Sequence, residues 1–103
     1  MVFEELSTFT RNVTRLLDDE NYAELQFALA ANPALGKVIR GSGGLRKVRW
    51  ALAGRGKSGG VRVIYYWWVA ENLVTLADIY PKNEKEDLTP REIEALRKQI
   101  HGK

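Results

Sequence analysis

Lys47, Arg49, Arg62 and Lys82 are the residues of this chain whose type and spacing suit chemistry on an anion. Leu45–Leu52 alternates, with Val48, Trp50 and Leu52 on one face of a strand and Lys47 and Arg49 on the other, roughly 6.5–7 Å apart along it. Arg62 interrupts Val61–Val69, a run otherwise apolar on both faces, as a central strand is. A guanidinium there is desolvated unless it meets a polar partner or an open surface. If the two runs pair as a hairpin, Arg62 approaches Lys47 and Arg49. Lys37, Arg40, Arg46, Arg55 and Lys57 surround them, so that eight cations and no Asp or Glu lie between Leu25 and Ala70. A solvated positive sheet face accounts for any two of these cations, and less well for all eight. A surface that must meet phosphate calls for this segregation; a fold alone does not.

The composition closes off other chemistries. With no cysteine, disulfides and thiolate metal sites are excluded. The one histidine, His101, stands near the end of the sequence and is read as frayed rather than catalytic, which removes most triad, zinc and histidine-based nuclease schemes. No metal site and no cofactor is expected. Gly54-Arg55-Gly56-Lys57-Ser58 has the flavour of a phosphate loop but lacks the G-x-x-x-x-G-K-[ST] spacing and lies between strands. Aromatics near the cations, chiefly Tyr66 (which shares Arg62's face by alternation) and Tyr80, suit stacking on bases; on a central strand, aromatics are also ordinary core. The start of the chain lacks the marks of a signal peptide, and no apolar run approaches the ~20 residues of a membrane span. The expectation is a soluble cytoplasmic protein without membrane contact.

These residues need elements to hold them. At 103 residues with net charge +3, residues 1–103 are expected to form one domain. Val2–Glu5 reads as a short edge strand. Leu6, Phe9, Val13, Leu16 and Leu17 recur at helical spacing. Asp18-Asp19-Glu20 opens a second helix with a cap and dipole-compatible acids, Tyr22, Leu25, Ala28 and Leu29 form its stripe, and Asn32-Pro33 stops it. Gly41–Gly44 reads as a loop. Leu73–Tyr80 is a third long strand, joined to the second by Glu71-Asn72, so that three strands form an antiparallel meander. Lys82–Asp87 reads as a charged connection or a single helical turn, and Thr89-Pro90-Arg91-Glu92 is a capping box for a terminal helix carrying Ile93, Leu96 and Ile100. The architecture expected is α+β: an N-terminal helical hairpin packed on a small antiparallel sheet, with a short C-terminal helix.

The stretch GSGGLRKVRWALAGRGKSGGVRVIYYWW, followed by DIYPKNEKEDLTPREI, resembles the RelE superfamily of bacterial toxins, nearest to the HigB-type branch in the Gly-Lys-Gly-Gly character of its loop. The resemblance runs from Tyr22 through Ile100. It implies the RelE/ParE-like fold and a type II toxin–antitoxin toxin that cleaves mRNA on the translating ribosome. A cognate antitoxin, expected to be a small helix-turn-helix protein, would neutralise it. Carried over, Lys47 and Arg49 match the family's strand cations, Arg62 the arginine of its next strand and Lys82 the cation after the strand that follows; all four are expected to be catalytic. Arg46, Arg55, Lys57, Tyr66, Tyr80 and Lys85 are expected to contact RNA. Asn83 and Lys85 stand where RelE has a catalytic arginine. The family's C-terminal tyrosine has no counterpart, since Leu88-Thr89 occupies its place; Tyr66 or Tyr80 is the substitute at hand.

Such a reaction needs neither histidine nor metal, because RNA carries its own nucleophile in the 2′-hydroxyl. A lysine among other cations gives up its proton more readily, which suits Lys47 to the role of base. Arginines such as Arg49 and Arg62 suit a bidentate hold on the phosphate. Two other readings stand beside it: a non-catalytic RNA- or DNA-binding module that uses the same face, and a gyrase poison like the ParE branch of the same fold, whose members tend to lack the catalytic basic set that this chain mostly keeps.

Overall fold

The computed structural model describes residues 1–52 and 60–102. Its elements are β1 (Val2–Glu5), α1 (Ser7–Leu16), α2 (Asp19–Ala31), β2 (Lys37–Val38), β3 (Arg46–Trp50), β4 (Val61–Trp68), β5 (Leu73–Pro81) and α3 (Pro90–His101). The strands form one five-stranded sheet in the order β1-β5-β4-β3-β2. The meander β3-β4-β5 is antiparallel as expected, and two edge strands extend it. The first, β2, pairs antiparallel with β3 just before the Gly41–Gly44 loop, at residues to which the sequence assigns no element. The second, β1, pairs parallel with β5, so the sheet is mixed rather than wholly antiparallel. The whole α1–α2 hairpin and three further strands separate β1 from β5, and a connection that long allows a parallel return.

Each face of the sheet has its own core. Phe9 and Val13 of α1 and Leu25 and Leu29 of α2 pack on Val48, Val61, Val63, Tyr65, Val74, Leu76 and Ile79. Leu96 and Ile100 of α3 cover the other face with Leu45, Ile64, Ala77, Tyr80 and Leu88. Residues Val61 to Tyr65 are buried on both sides, the expected profile of a central strand. The caps also stand where the sequence sets them. The Asp18 side chain accepts from the Asn21 amide, and Thr89 and Glu92 form a reciprocal capping box. His101 is held rather than frayed: its Nε2 lies 3.0 Å from the Gly43 carbonyl oxygen, and its ring packs edge-on against Tyr66 and Trp68. Gly44 has φ +102°, and a side chain there would meet the Tyr66 ring at 2.9 Å, so this turn requires glycine.

One irregularity governs what shares a face with Arg62. The β4–β5 register shifts between Ile64, paired with Asp78, and Tyr65, paired with Leu76, leaving Ala77 as an extra residue in β5. The bulge reverses the alternation: Val74 and Leu76 join the α1–α2 core before it, and Ile79 joins that core after it. Tyr80 is thereby turned to the α3 face, directly opposite Arg62.

Candidate phosphate-binding site

β3 and β4 pair so that Arg49 lies directly across from Arg62, and Lys47 across from Ile64. Lys47, Arg49 and Arg62 therefore share the face of the sheet opposite the α1–α2 core. Like charges directly opposed on neighbouring strands destabilise a sheet unless something intervenes. Here a carboxylate does. Arg62 grips Glu86 with two hydrogen bonds, Nε to Oε2 at 2.9 Å and Nη2 to Oε1 at 2.7 Å. Arg49 reaches the same Oε2 through Nη2 at 3.1 Å and Nε at 3.3 Å. Lys47 Nζ donates to Oε2 at 3.1 Å and to Asp87 Oδ1 at 2.5 Å. The three cations thus converge on one anion-sized place, and Arg62 holds it with the two-oxygen bidentate geometry that a guanidinium offers carboxylate and phosphate alike.

The electrostatics follow. Hydrogen bonds from Arg62 and then Lys47 hold the Glu86 carboxyl well below the ordinary carboxylate range. The reciprocal bond from Arg62 to Glu86 raises the arginine further above its already high value, against the burial that opposes its charge. The Arg62 side chain is 8% exposed, whereas that of Glu86 is 45% exposed, so the pair has one fixed, desolvated member and one at the surface. Burial, followed by the charge of Asp87, pushes the Tyr80 phenol upward. Its hydroxyl lies 3.1 Å from the Glu86 carbonyl oxygen, to which it donates.

Lys82 lines a small cavity of about 220 Å³ together with Arg49, Arg62 and Gly60, beside the cation cluster. A larger groove of about 760 Å³ runs along β3, where Leu35, Lys37, Lys47, Arg49 and Trp50 line it. Its place is set by β2, which covers only Arg46 and Lys47 and leaves the rest of that edge of β3 unpaired by it.

Other residues expected at the site lie elsewhere or are engaged otherwise. Arg46 points to the opposite face of β3, where Nη1 donates to the Gly36 carbonyl oxygen at 2.7 Å and fixes the turn before β2. Alternation of the strand puts it there; its cationic neighbours in sequence do not carry it to the site face. Tyr66 shares that face but sits toward the far end of β4, packed on Trp68 with ring centroids 4.7 Å apart and on His101. Lys85 pairs with Glu92 at 2.7 Å and lies 5.0 Å from the centre of the Tyr80 ring. Arg55 and Lys57 fall outside the described residues. Lys47, expected among cations alone, faces Glu86 and Asp87 as well.

Glu86 is the residue that reasoning from sequence passes over. In KNEKED it looks like one more solvated charge. The available signal is topological: the segment leaving β5 must pass the end of β4 that carries Arg62, and it is the first acid-rich stretch after the cation window.

Residues 8–101 match the family model described as the RelE toxin of the RelE / RelB toxin-antitoxin system. The chain belongs to this family of toxins. Solved structures agree on the fold. A variant of Escherichia coli RelE, with two arginines changed to alanine and in the free state, superposes with a TM-score of 0.59 at 13% identity, covering 96% of this chain and 95% of that one. The isolated E. coli RelE toxin gives 0.56 at 16% identity, covering 96% and 97%. The intact E. coli RelBE toxin-antitoxin complex gives 0.57 at 15% identity, covering 78% of this chain and 94% of that chain.

Proposed function

We propose that this toxin is a ribosome-dependent mRNA endonuclease that inhibits translation in the cytoplasm. The observation that carries the reading is the convergence of Lys47, Arg49 and Arg62 on one anion. In this reading the scissile phosphate takes that place. The RNA 2′-hydroxyl attacks the adjacent phosphorus and gives up its proton, the bond to the 5′-oxygen breaks, and the leaving oxygen is protonated. Arg62 and Arg49 stabilise the charge that builds on the non-bridging oxygens. Lys82, beside the cavity, adds to that field. Lys47, as the free amine, is the base that takes the 2′-hydroxyl proton, a role that requires the carboxylates of Glu86 and Asp87 to have left it. Tyr80, a protonated phenol on the site face, is the group at hand to serve the leaving oxygen.

An antitoxin partner is proposed by analogy with the toxin–antitoxin pairing in the E. coli RelBE complex; that it is a small helix-turn-helix protein is part of the proposal and rests on the resemblance of the sequence alone. Assignment to the HigB-type branch rests on the glycine-rich sequence around Lys57, between Gly54 and Gly60. Expression from a tight inducible promoter with mapping of mRNA 5′ ends tests the whole reading. Cuts inside coding frames that vanish when translation is blocked support it. Growth arrest with intact mRNA and an SOS response replaces it with a gyrase poison, and absence of toxicity replaces it with a binding module.

A further inference from the structure

The carboxylate of Glu86 is poorly matched to the number of donors it receives. Four N–H groups crowd Oε2 alone: Lys47 Nζ, both Arg49 donors and Arg62 Nε. A carboxylate oxygen offers about two lone-pair sites. A non-bridging phosphate oxygen offers about three lone pairs to a carboxylate oxygen's two and belongs to a larger, tetrahedral anion, so a phosphodiester takes the same donors with less crowding, and the phosphorane spreads them further. The site is built for a larger anion than the one in it. The anion present hangs on the connection between β5 and α3, outside both elements, with a half-exposed side chain.

We propose that Glu86 is a tethered stand-in for the substrate phosphate: the segment between Pro81 and Pro90 closes the cation site with its own carboxylate, and RNA enters by displacing it. The proposal rests on the reading above for the claim that the incoming phosphate belongs to RNA. Displacement breaks the Glu86 contacts to all three cations, the Lys47–Asp87 pair and the Tyr80 hydrogen bond to the Glu86 backbone. It thereby frees Lys47 and uncovers the Tyr80 phenol in the same movement. The capping box at Thr89 and Glu92 anchors the far end of the segment, so the movement is confined to the connection. A competing role for Glu86 as general base is disfavoured, because its oxygens already accept from all three cations and those cations hold its carboxyl well below the ordinary range.

Self-closure taxes affinity by the fraction of time the site is open: a site closed about nine-tenths of the time binds about tenfold more weakly than its open form. The test uses the full chain and two probes, inorganic phosphate and a single-stranded 2′-deoxy trinucleotide that cannot be cleaved. Glu86→Gln is expected to bind both about tenfold more tightly than the wild type. Binding by Glu86→Gln that is equal to or weaker than wild type overturns the proposal. In the wild type, the Glu86 carboxyl carbon followed by NMR should move to its free-carboxylate position on saturation with the trinucleotide. A signal that stays put also overturns the proposal, and this measurement decides alone if the variant does not fold. Failure of the enzyme reading looks different: ribosomal mRNA stays intact while phosphate still displaces Glu86.

Discussion

Arg62 is the residue on which the proposed reaction depends most, and Arg62→Met is the sharpest probe of it. Methionine keeps much of the buried aliphatic stem and removes the guanidinium. The anion at the site loses two short charge-assisted hydrogen bonds, at 2.9 and 2.7 Å. Each such bond contributes about 1.5–3 kcal/mol. Lys47 and Arg49 still reach the same place, so the loss falls short of the sum, at about 3–4 kcal/mol, the range seen when one preorganised oxyanion donor is removed. Single-turnover cleavage of mRNA on purified ribosomes should therefore slow by about 100- to 1,000-fold. Stability should change much less. The substitution removes an ion pair, and it also removes a buried charge and the opposition of Arg49 to Arg62 across the β3–β4 pair. These terms oppose each other, and chemical denaturation should place the variant within about 1 kcal/mol of wild type. Arg62→Lys, which offers a point charge in place of the planar fork, should recover part of the rate. Cleavage by a folded Arg62→Met within about threefold of wild type would refute the assignment of charge stabilisation to this residue.

Other expectations follow from particular contacts. Arg46→Gln should lower stability by about 1–2 kcal/mol through its lost bond to the Gly36 carbonyl, while ribosomal cleavage stays near wild type; a cleavage defect with intact fold would return Arg46 to the site. Tyr65→Phe leaves the Gly36 amide and the Pro33 carbonyl without their phenol partner, and should cost about 1–3 kcal/mol by urea denaturation. Thr89→Ala removes half of the capping box and should cost about 1 kcal/mol, measured in the same way. Acid unfolding carries the Glu86 signature. Its folded-state carboxyl is depressed below the ordinary 4.5, so the folded protein binds fewer protons there than the unfolded chain, and the contribution is complete above 4.5 and lost as pH falls below it. Glu92, depressed chiefly by Lys85, acts in the same direction. Denaturation midpoints measured from pH 7 down to pH 2 should fall less steeply for Glu86→Gln than for wild type.

Much of the scaffold was legible because it rests on local rules. Alternation in Leu45–Leu52 fixes which side chains of β3 face the α1–α2 core, and the same rule puts Lys47 and Arg49 on the other face. Unbroken apolarity marks β4 as central, and capping residues mark the starts of α2 and α3. The rest depends on long-range pairing that no local pattern encodes. The parallel pairing of β1 joins residues some seventy positions apart in sequence, Val2 with Leu73 through Glu5 with Leu76. The Ala77 bulge has no glycine or proline to announce it, yet it decides that Tyr80 faces Arg62. Counting cations in a window treats Arg46 and Lys47 as equivalents. A strand's period of two makes neighbours in sequence into residues of opposite faces, and only Lys47 reaches the cluster.

On the proposed reading, Glu86 shows why an anion site is difficult to recognise from its cations alone. A central strand bearing Arg62 opposite Arg49 is an arrangement that folding energetics disfavour unless an anion lies between them. The chain meets that cost within itself, through an acid on the connection that follows the strand bracketing Arg62 on its other side. Stability of the free protein and readiness of the site for phosphate then pull in opposite directions. Any substitution that weakens the hold on Glu86 without touching the cations should open the site and loosen the fold together. Glu86→Asp, shorter by one methylene, is the gentlest of these. It should bind the 2′-deoxy trinucleotide with an affinity between those of wild type and Glu86→Gln, and its denaturation midpoint should fall below that of wild type. Tighter binding without any loss of stability would separate the two properties, and would mean that the opposed arginines are accommodated by solvent and not by the carboxylate.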